Sequence, residues 1–156
     1  MRIQLAIVVA LALAGCASAP QAARPPAIAI DHMIIPAVAE IGGPVAAYAG
    51  LDNDGEADRL LGIDCSCAAS VELHHVTREG GQMRMVNAFP LALPAGRTEV
   101  RPPGVPLHFM LIDTRRAFVA GEQVMMRLRF ERAGSVDVAF SVTADSKTGW
   151  TEWVRP

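Results

Sequence analysis

The chain has 156 residues, which leaves room for one domain once any targeting segment is removed. Its formal charge of -2 comes from 16 acidic and 14 basic residues spread along the chain, without a run of like charge that could follow a phosphate backbone. The composition therefore predicts a globular domain and argues against a nucleic-acid partner.

The first sixteen residues have the features of an export signal. Arg2 supplies a positive start, and residues 3–14 form an apolar run that is shorter than the about 20 residues needed to cross a bilayer. Leu13-Ala14-Gly15-Cys16 then resembles a bacterial lipobox, in which cleavage before the cysteine leaves its sulfur carrying a diacylglyceryl group. We expect Cys16 to be a membrane anchor in the periplasm. Because Ala17 is not an aspartate, the outer membrane is favoured over the inner one.

The whole chain divides into four parts. Residues 1–15 are the predicted signal peptide, and residues 16–27, which contain three prolines and no periodicity, are predicted to be a flexible tether. Residues 28–144 are the predicted β-domain. The tail at 145–156 has no clear secondary structure assignment.

Within the domain, short β-like runs alternate with turn residues, and no long helical period is present. Glycine, proline, aspartate and asparagine supply the turns. Many short strands at this spacing predict an all-β sandwich or Greek-key barrel. Strands are predicted near 28–35, 45–52, 59–65, 70–77, 82–88, 97–101, 107–113, 124–131 and 135–143.

Histidines and methionines cluster in the middle of the chain, and this clustering is the main indication of chemistry. Side chains two apart on a strand share a face, so His108 and Met110 project together, as do Met83 and Met85. Imidazole and thioether donors select soft metals, and a methionine-containing site without carboxylate favours Cu(I). Methionine also stays usable in an oxidising compartment, where cysteine thiolates tend to form disulfides.

The segment 70–88 is predicted to be a hairpin around Glu79-Gly80-Gly81. With Glu79 and Gly80 as the loop residues, His74 faces Met85, at a β-carbon separation of about 5 Å. A turn at Gly80-Gly81 would place Asn87 opposite His74 instead. The first register is preferred because it assembles metal ligands.

The spacing of these residues resembles a known family. His74, ten intervening residues, Met85 and then His108-Phe109-Met110 are similar to the signature of the periplasmic copper chaperones called PCuAC. The resemblance spans roughly residues 28–143. One departure is that 22 residues instead of 21 separate Met85 from His108, which a loop insertion near Pro102-Pro103-Gly104 would absorb.

The resemblance implies a cupredoxin-like Greek-key β-domain that takes up Cu(I) and passes it on by ligand exchange. It implies His74, Met85, His108 and Met110 as the metal ligands, with Met83 as a reserve. In the family the copper often serves assembly of cytochrome c oxidase. The expected partner is therefore a transiently bound copper acceptor, either an oxidase subunit or a Sco-type protein.

Cys65-Ser66-Cys67 lies outside the family signature. On a strand both sulfurs would share a face with α-carbons about 6.6 Å apart, near the upper limit for a disulfide. The two cysteines are interpreted first as buried small side chains. Extra copper ligation and a redox pair are the alternatives.

Enzymatic interpretations find little support in the sequence. A calcium loop starting at Asp52 would need a glutamate at the position that Ile63 occupies. Cys67 and His74 lack any local protease signature, and no serine elbow or phosphate loop is present. The chain is predicted not to be an enzyme. The alternatives to a chaperone are a copper-sequestering lipoprotein and a metal-free envelope domain.

Overall fold

A computed structural model describes residues 25–100 and 107–144. In that part of the chain no helix is long and apolar enough to span a membrane. Cys16, the predicted signal peptide and the tail at 145–156 lie outside it. Residues 25–100 and 107–144 form ten strands: β1 (Ile28–Pro36), β2 (Val45–Asn53), β3 (Asp58–Asp64), β4 (Ser70–Glu79), β5 (Gln82–Asn87), β6 (Leu91–Leu93), β7 (Gly96–Val100), β8 (Leu107–Ile112), β9 (Gln123–Phe130) and β10 (Ser135–Thr143).

The strands join into one sheet in the order β5-β4-β8-β2-β1-β10-β9-β3-β6, with β7 paired to β2. A further pairing between β3 and β4, at Ile63 and Val71, closes seven of these strands into a barrel. Only β1 and β10 run parallel among the paired strands. The hairpin strand β5 lies outside the closed ring, next to β4.

Alternation of apolar and polar residues builds the core. Strand β9 alternates exposed and buried residues along its whole length, which is the pattern of a strand with one face on the core. Leu73 on β4 and Phe109 and Leu111 on β8 are fully buried. Each such side chain contributes about 1.5–3 kcal/mol by leaving water. The residues between them on β4 and β8 therefore project outward.

All nine predicted strands are present, and the predicted all-β class is confirmed. Strand β6 was not expected, because its three residues lie between Pro90 and Pro94 and are too few to establish a period of two. The prediction that Cys65 continues the third strand is wrong. Strand β3 ends at Asp64, and residues 65–69 form the turn into β4.

The preferred hairpin register is also wrong, and the alternative register holds. Gly80 and Gly81 are the two loop residues, so Glu79 pairs with Gln82 and His74 with Asn87. Both glycines have positive φ, 58° and 82°, as a two-residue primed turn requires. A glutamate in the first of these positions would be strained, and this backbone requirement outweighs any preference for pairing His74 with Met85.

Candidate metal centre

Two histidines lie side by side at the centre of the site. His74 on β4 is directly opposite His108 on β8, and their ring centroids are 5.5 Å apart with the planes at 81°. Two residues along the same strands, Glu72 is opposite Met110. Directly paired residues share a sheet face, so these four side chains project from the same side.

The hairpin adds methionines to this face. Met85 pairs with Val76, which places it diagonally from His74 and on the same side of the sheet. Such diagonal neighbours lie about 7–8 Å apart, within reach of a long side chain. Met83, opposite Arg78, follows on the same side. Both methionines are exposed, Met85 at 58% and Met83 at 65%.

The inward-facing residues of the same strands hold this arrangement in place. Leu73 and Phe109 pair across β4 and β8, and both are fully buried in the core. Their neighbours His74 and His108 must then point to the opposite side. The position of the two imidazoles is thus fixed by the packing beneath them.

One imidazole of the pair, that of His108, has a pKa below its ordinary value. Burial lowers the pKa of His108, and the nearby His74 lowers it further when it carries a charge. A neutral imidazole is the form that binds a metal. His108 is therefore available as a ligand at lower pH than a solvent-exposed histidine.

Glu72 is a member of this site that the sequence analysis missed. Its Oε2 lies 2.7 Å from Nε2 of His74, and its side chain is 43% exposed against 15% for the histidine. The signal was available, because residues two apart on a strand share a face. The residue type of Glu72 did not indicate this site, because soft cations prefer sulfur and imidazole donors to carboxylates.

Two other groups of possible donors, His75 and the pair Cys65 and Cys67, lie away from this face. His75 pairs with Val86 and Leu107 and so belongs to the other side of the sheet. Cys65 and Cys67 form a disulfide in the turn between β3 and β4, with α-carbons 5.1 Å apart. The turn places them closer than the strand geometry assumed from sequence. Cys67 is buried in the core, and in the disulfide neither cysteine offers a thiolate.

The donors gathered on this face suit a soft cation. They are two imidazoles, the thioether of Met110, and the thioethers of the adjacent hairpin. Among the residues that the structure describes, no three histidine, cysteine, aspartate or glutamate side chains form a group able to hold a metal. A metal held by His74 and His108 would therefore draw its further ligands from the methionines, which favours Cu(I) over harder ions.

Comparisons with known proteins agree with the fold and with the sequence resemblance. Residues 28–142 match the family described as "Putative lipoprotein LpqE-like". "Putative lipoprotein Lxx21020" of Leifsonia xyli subsp. xyli is 30% identical over 138 residues, which cover 85% of this chain and 82% of that protein.

Solved structures of PCuAC domains are similar as well. The copper-bound PCuAC domain from PmoF2 is 27% identical with a TM-score of 0.62, covering 75% of this chain and 92% of its own. CuI-DR1885 from Deinococcus radiodurans is 26% identical with a TM-score of 0.57, covering 84% of this chain and 83% of its own. These similarities confirm the resemblance to PCuAC domains and the cupredoxin-like fold.

Proposed function

The chain belongs to the LpqE-like lipoprotein family, and from that premise we propose that it binds one copper(I) ion through His74, Met85, His108 and Met110. The ion is its cargo, which it carries in the bacterial cell envelope and releases to a copper-accepting protein. Carrying an ion requires no covalent step, so the protein acts as a binding protein and not as an enzyme.

One observation carries this proposal: the four side chains project from a single face of the neighbouring strands β5, β4 and β8. They come from three strands and supply imidazole nitrogen and thioether sulfur donors to that face. Two structural relatives with more than 25% identity support copper as the ligand, since one structure is copper-bound and the other is a CuI form.

The exposure of Met85 to solvent allows the copper ion to be released by ligand exchange. Met85 is 58% exposed at the margin of the site, and its thioether is a weaker donor than a thiolate. An approaching acceptor can replace that thioether first, while His74 and His108 still hold the ion. Each exchange leaves copper in the monovalent state, so the chaperone needs no electron donor.

We infer that the mature protein is anchored in the envelope through a lipid on Cys16, as the lipobox predicts, and that it faces the periplasm. Delivery to the copper site of cytochrome c oxidase, directly or through a Sco-type protein, is the proposed outcome. Deletion of the gene separates delivery from sequestration. Loss of oxidase activity at low copper supports delivery, and sensitivity to excess copper with normal oxidase activity contradicts it.

The binding site is tested by anaerobic titration of the full chain with Cu(I) against a chromophoric chelator, with Cys16→Ser in every sample to remove the thiol of the cysteine outside the Cys65–Cys67 disulfide. His108→Ala, Met110→Ala and Met85→Ala are each expected to weaken binding by about 10-fold or more. Met125→Ala is the matched control, because Met125 on β9 has the same 58% exposure as Met85. Equal affinity in all of these variants would remove the proposed site.

A further inference from the structure

The two ring nitrogens of His74 have different surroundings. Nε2 lies 2.7 Å from a carboxylate oxygen of Glu72. Nδ1 is buried and has no hydrogen-bond partner among the residues that the structure describes. A buried polar atom without a partner costs free energy, so its persistence calls for an explanation.

The carboxylate determines the tautomer of the neutral ring. Ionised Glu72 can only accept hydrogen bonds, so Nε2 of His74 must carry the proton and donate it. Nδ1, the buried nitrogen, then carries the lone pair.

The carboxylate of Glu72 has one described contact with the ring, at Nε2 of His74. It forms no three-residue metal-binding group with the two histidines. Its carboxylate contacts the ring at Nε2, on a side chain that is 43% exposed, whereas the imidazole is 15% exposed. Glu72 thus contacts the ring at Nε2 alone, and the other ring nitrogen, Nδ1, is buried.

We propose that Nδ1 of His74 is the copper-binding nitrogen and that Glu72 is a positioning residue that keeps it so. The inference rests on the proposed function. Histidines that bind metals usually donate their other N–H to a carboxylate or carbonyl, which fixes the tautomer and raises ligand basicity. The negative charge of Glu72 also favours a monovalent cation next to the ring.

The tautomer is directly measurable by long-range ¹H–¹⁵N NMR of the full chain labelled with ¹⁵N, with Cys16→Ser in every sample. The apo protein is expected to show His74 protonated at Nε2. One equivalent of Cu(I), added anaerobically, is expected to shift the Nδ1 resonance and leave Nε2 protonated. Because Cu(I) is diamagnetic, both nitrogens stay observable in the loaded protein.

Two substitutions at Glu72 separate positioning from structure. Glu72→Ala should give a mixture of tautomers and weaken Cu(I) binding by about 10-fold. Glu72→Gln keeps an oxygen acceptor without the charge, so it should restore the Nε2–H tautomer and part of the affinity. Glu131→Gln is the matched control, since Glu131 pairs with Arg59 elsewhere and is 48% exposed.

The possible outcomes distinguish this inference from the proposed function. A copper-induced shift at Nε2 of His74 instead of Nδ1 would overturn the assignment while copper binding stands. An unchanged tautomer and affinity in Glu72→Ala would overturn the role of Glu72. No shift at either nitrogen would remove His74 from the site and so contradict the proposed function as well.

Discussion

His74 and His108 face each other across β4 and β8 with their rings in an edge-to-face arrangement, 5.5 Å between centroids. This pair links two segments that are 34 residues apart in the chain, counted from position 74 to position 108. Strand β8 carries the thioether of Met110 beside His108, and strand β4 carries the carboxylate of Glu72 beside His74. The metal site proposed here is thus a property of strand pairing and not of any local motif.

The protonation of His108 gives the first prediction. Burial and the charge of His74 lower the pKa of His108, so NMR titration of the apo protein should find it below the ordinary value of about 6.5. His74→Gln removes the neighbouring charge and should raise that pKa, although burial keeps it below the ordinary value. A His108 that titrates at or above 6.5 in the unaltered chain would contradict the electrostatic description of the site.

The same shift has a consequence for stability. The unfolded chain takes up a proton at His108 near pH 6.5, whereas the folded chain does so only at lower pH. Stability should therefore fall as the pH drops below 6.5 and level off once the pH is below the folded-state pKa. Urea unfolding across this range should show a smaller decline for His108→Gln than for the unaltered protein.

The glycine turn that sets the hairpin register gives a second prediction. Gly80→Ala together with Gly81→Ala forces two alanines into left-handed backbone, at about 1–2 kcal/mol per residue. The hairpin should then lose its register, and Cu(I) binding should weaken because Met85 is no longer held diagonal to His74. Gly80→Asn is the control, because it creates an Asn-Gly pair, which two-residue turns of this kind prefer. Equal copper affinity in the alanine and asparagine variants would show that the hairpin does not contribute to the site.

The core beneath the site gives a third prediction. Phe109 lies between His108 and Met110 in sequence, and its side chain is fully buried in the core. Phe109→Ala should therefore lower the free energy of unfolding by about 3–5 kcal/mol. If that variant does not fold, Phe109→Leu should lower it by about 1 kcal/mol. Val119→Ala is the control, because Val119 is 57% exposed and its loss should change stability by less than about 0.5 kcal/mol. Urea denaturation measures all three.

Asp58 gives a fourth prediction, away from the metal. This carboxylate is buried and accepts the backbone N–H groups of Arg59, Arg132 and Ala133. Burial alone would raise the pKa of Asp58, but the three hydrogen bonds outweigh it and hold the pKa below the ordinary value. The stability it contributes is therefore present at neutral pH and is lost as the pH falls through the folded-state pKa.

Asp58→Asn places an amide NH₂ against backbone donors and should destabilise the protein by about 2 kcal/mol at pH 7. The difference from the unaltered chain should shrink in acid, because the unaltered protein then loses its carboxylate too. Urea unfolding at neutral and acidic pH measures both values. A constant difference between them would indicate that the negative charge of Asp58 is not what stabilises the turn at Arg132.

Much of the fold could be predicted from the sequence because its strands alternate and its turns contain glycine and proline. The outward side chains of β4 and β8 follow from that alternation alone. Strand β6 could not be predicted, since three residues between prolines acquire their strand geometry only by pairing with β3. The closure of the barrel at Ile63 and Val71 is likewise a tertiary feature without a local signal.

The site was harder to predict than the fold. The ligand set is what the resemblance to PCuAC domains implies. The predicted register was wrong because it placed Glu79 in a loop position that requires the positive φ angles of Gly80 and Gly81. The disulfide between Cys65 and Cys67 was disfavoured because a strand was assumed where the chain turns. The contact of Glu72 with His74 depends on side-chain orientation, which a sequence pattern does not specify.

The most direct measurement is X-ray absorption of the full chain carrying Cys16→Ser, loaded with one equivalent of Cu(I) while the disulfide is intact. The account predicts both imidazole nitrogen and sulfur scatterers around copper. The sulfur contribution should disappear when Met85 and Met110 are both replaced by alanine. A sulfur contribution that persists unchanged in that double variant, or a spectrum without imidazole, would contradict it.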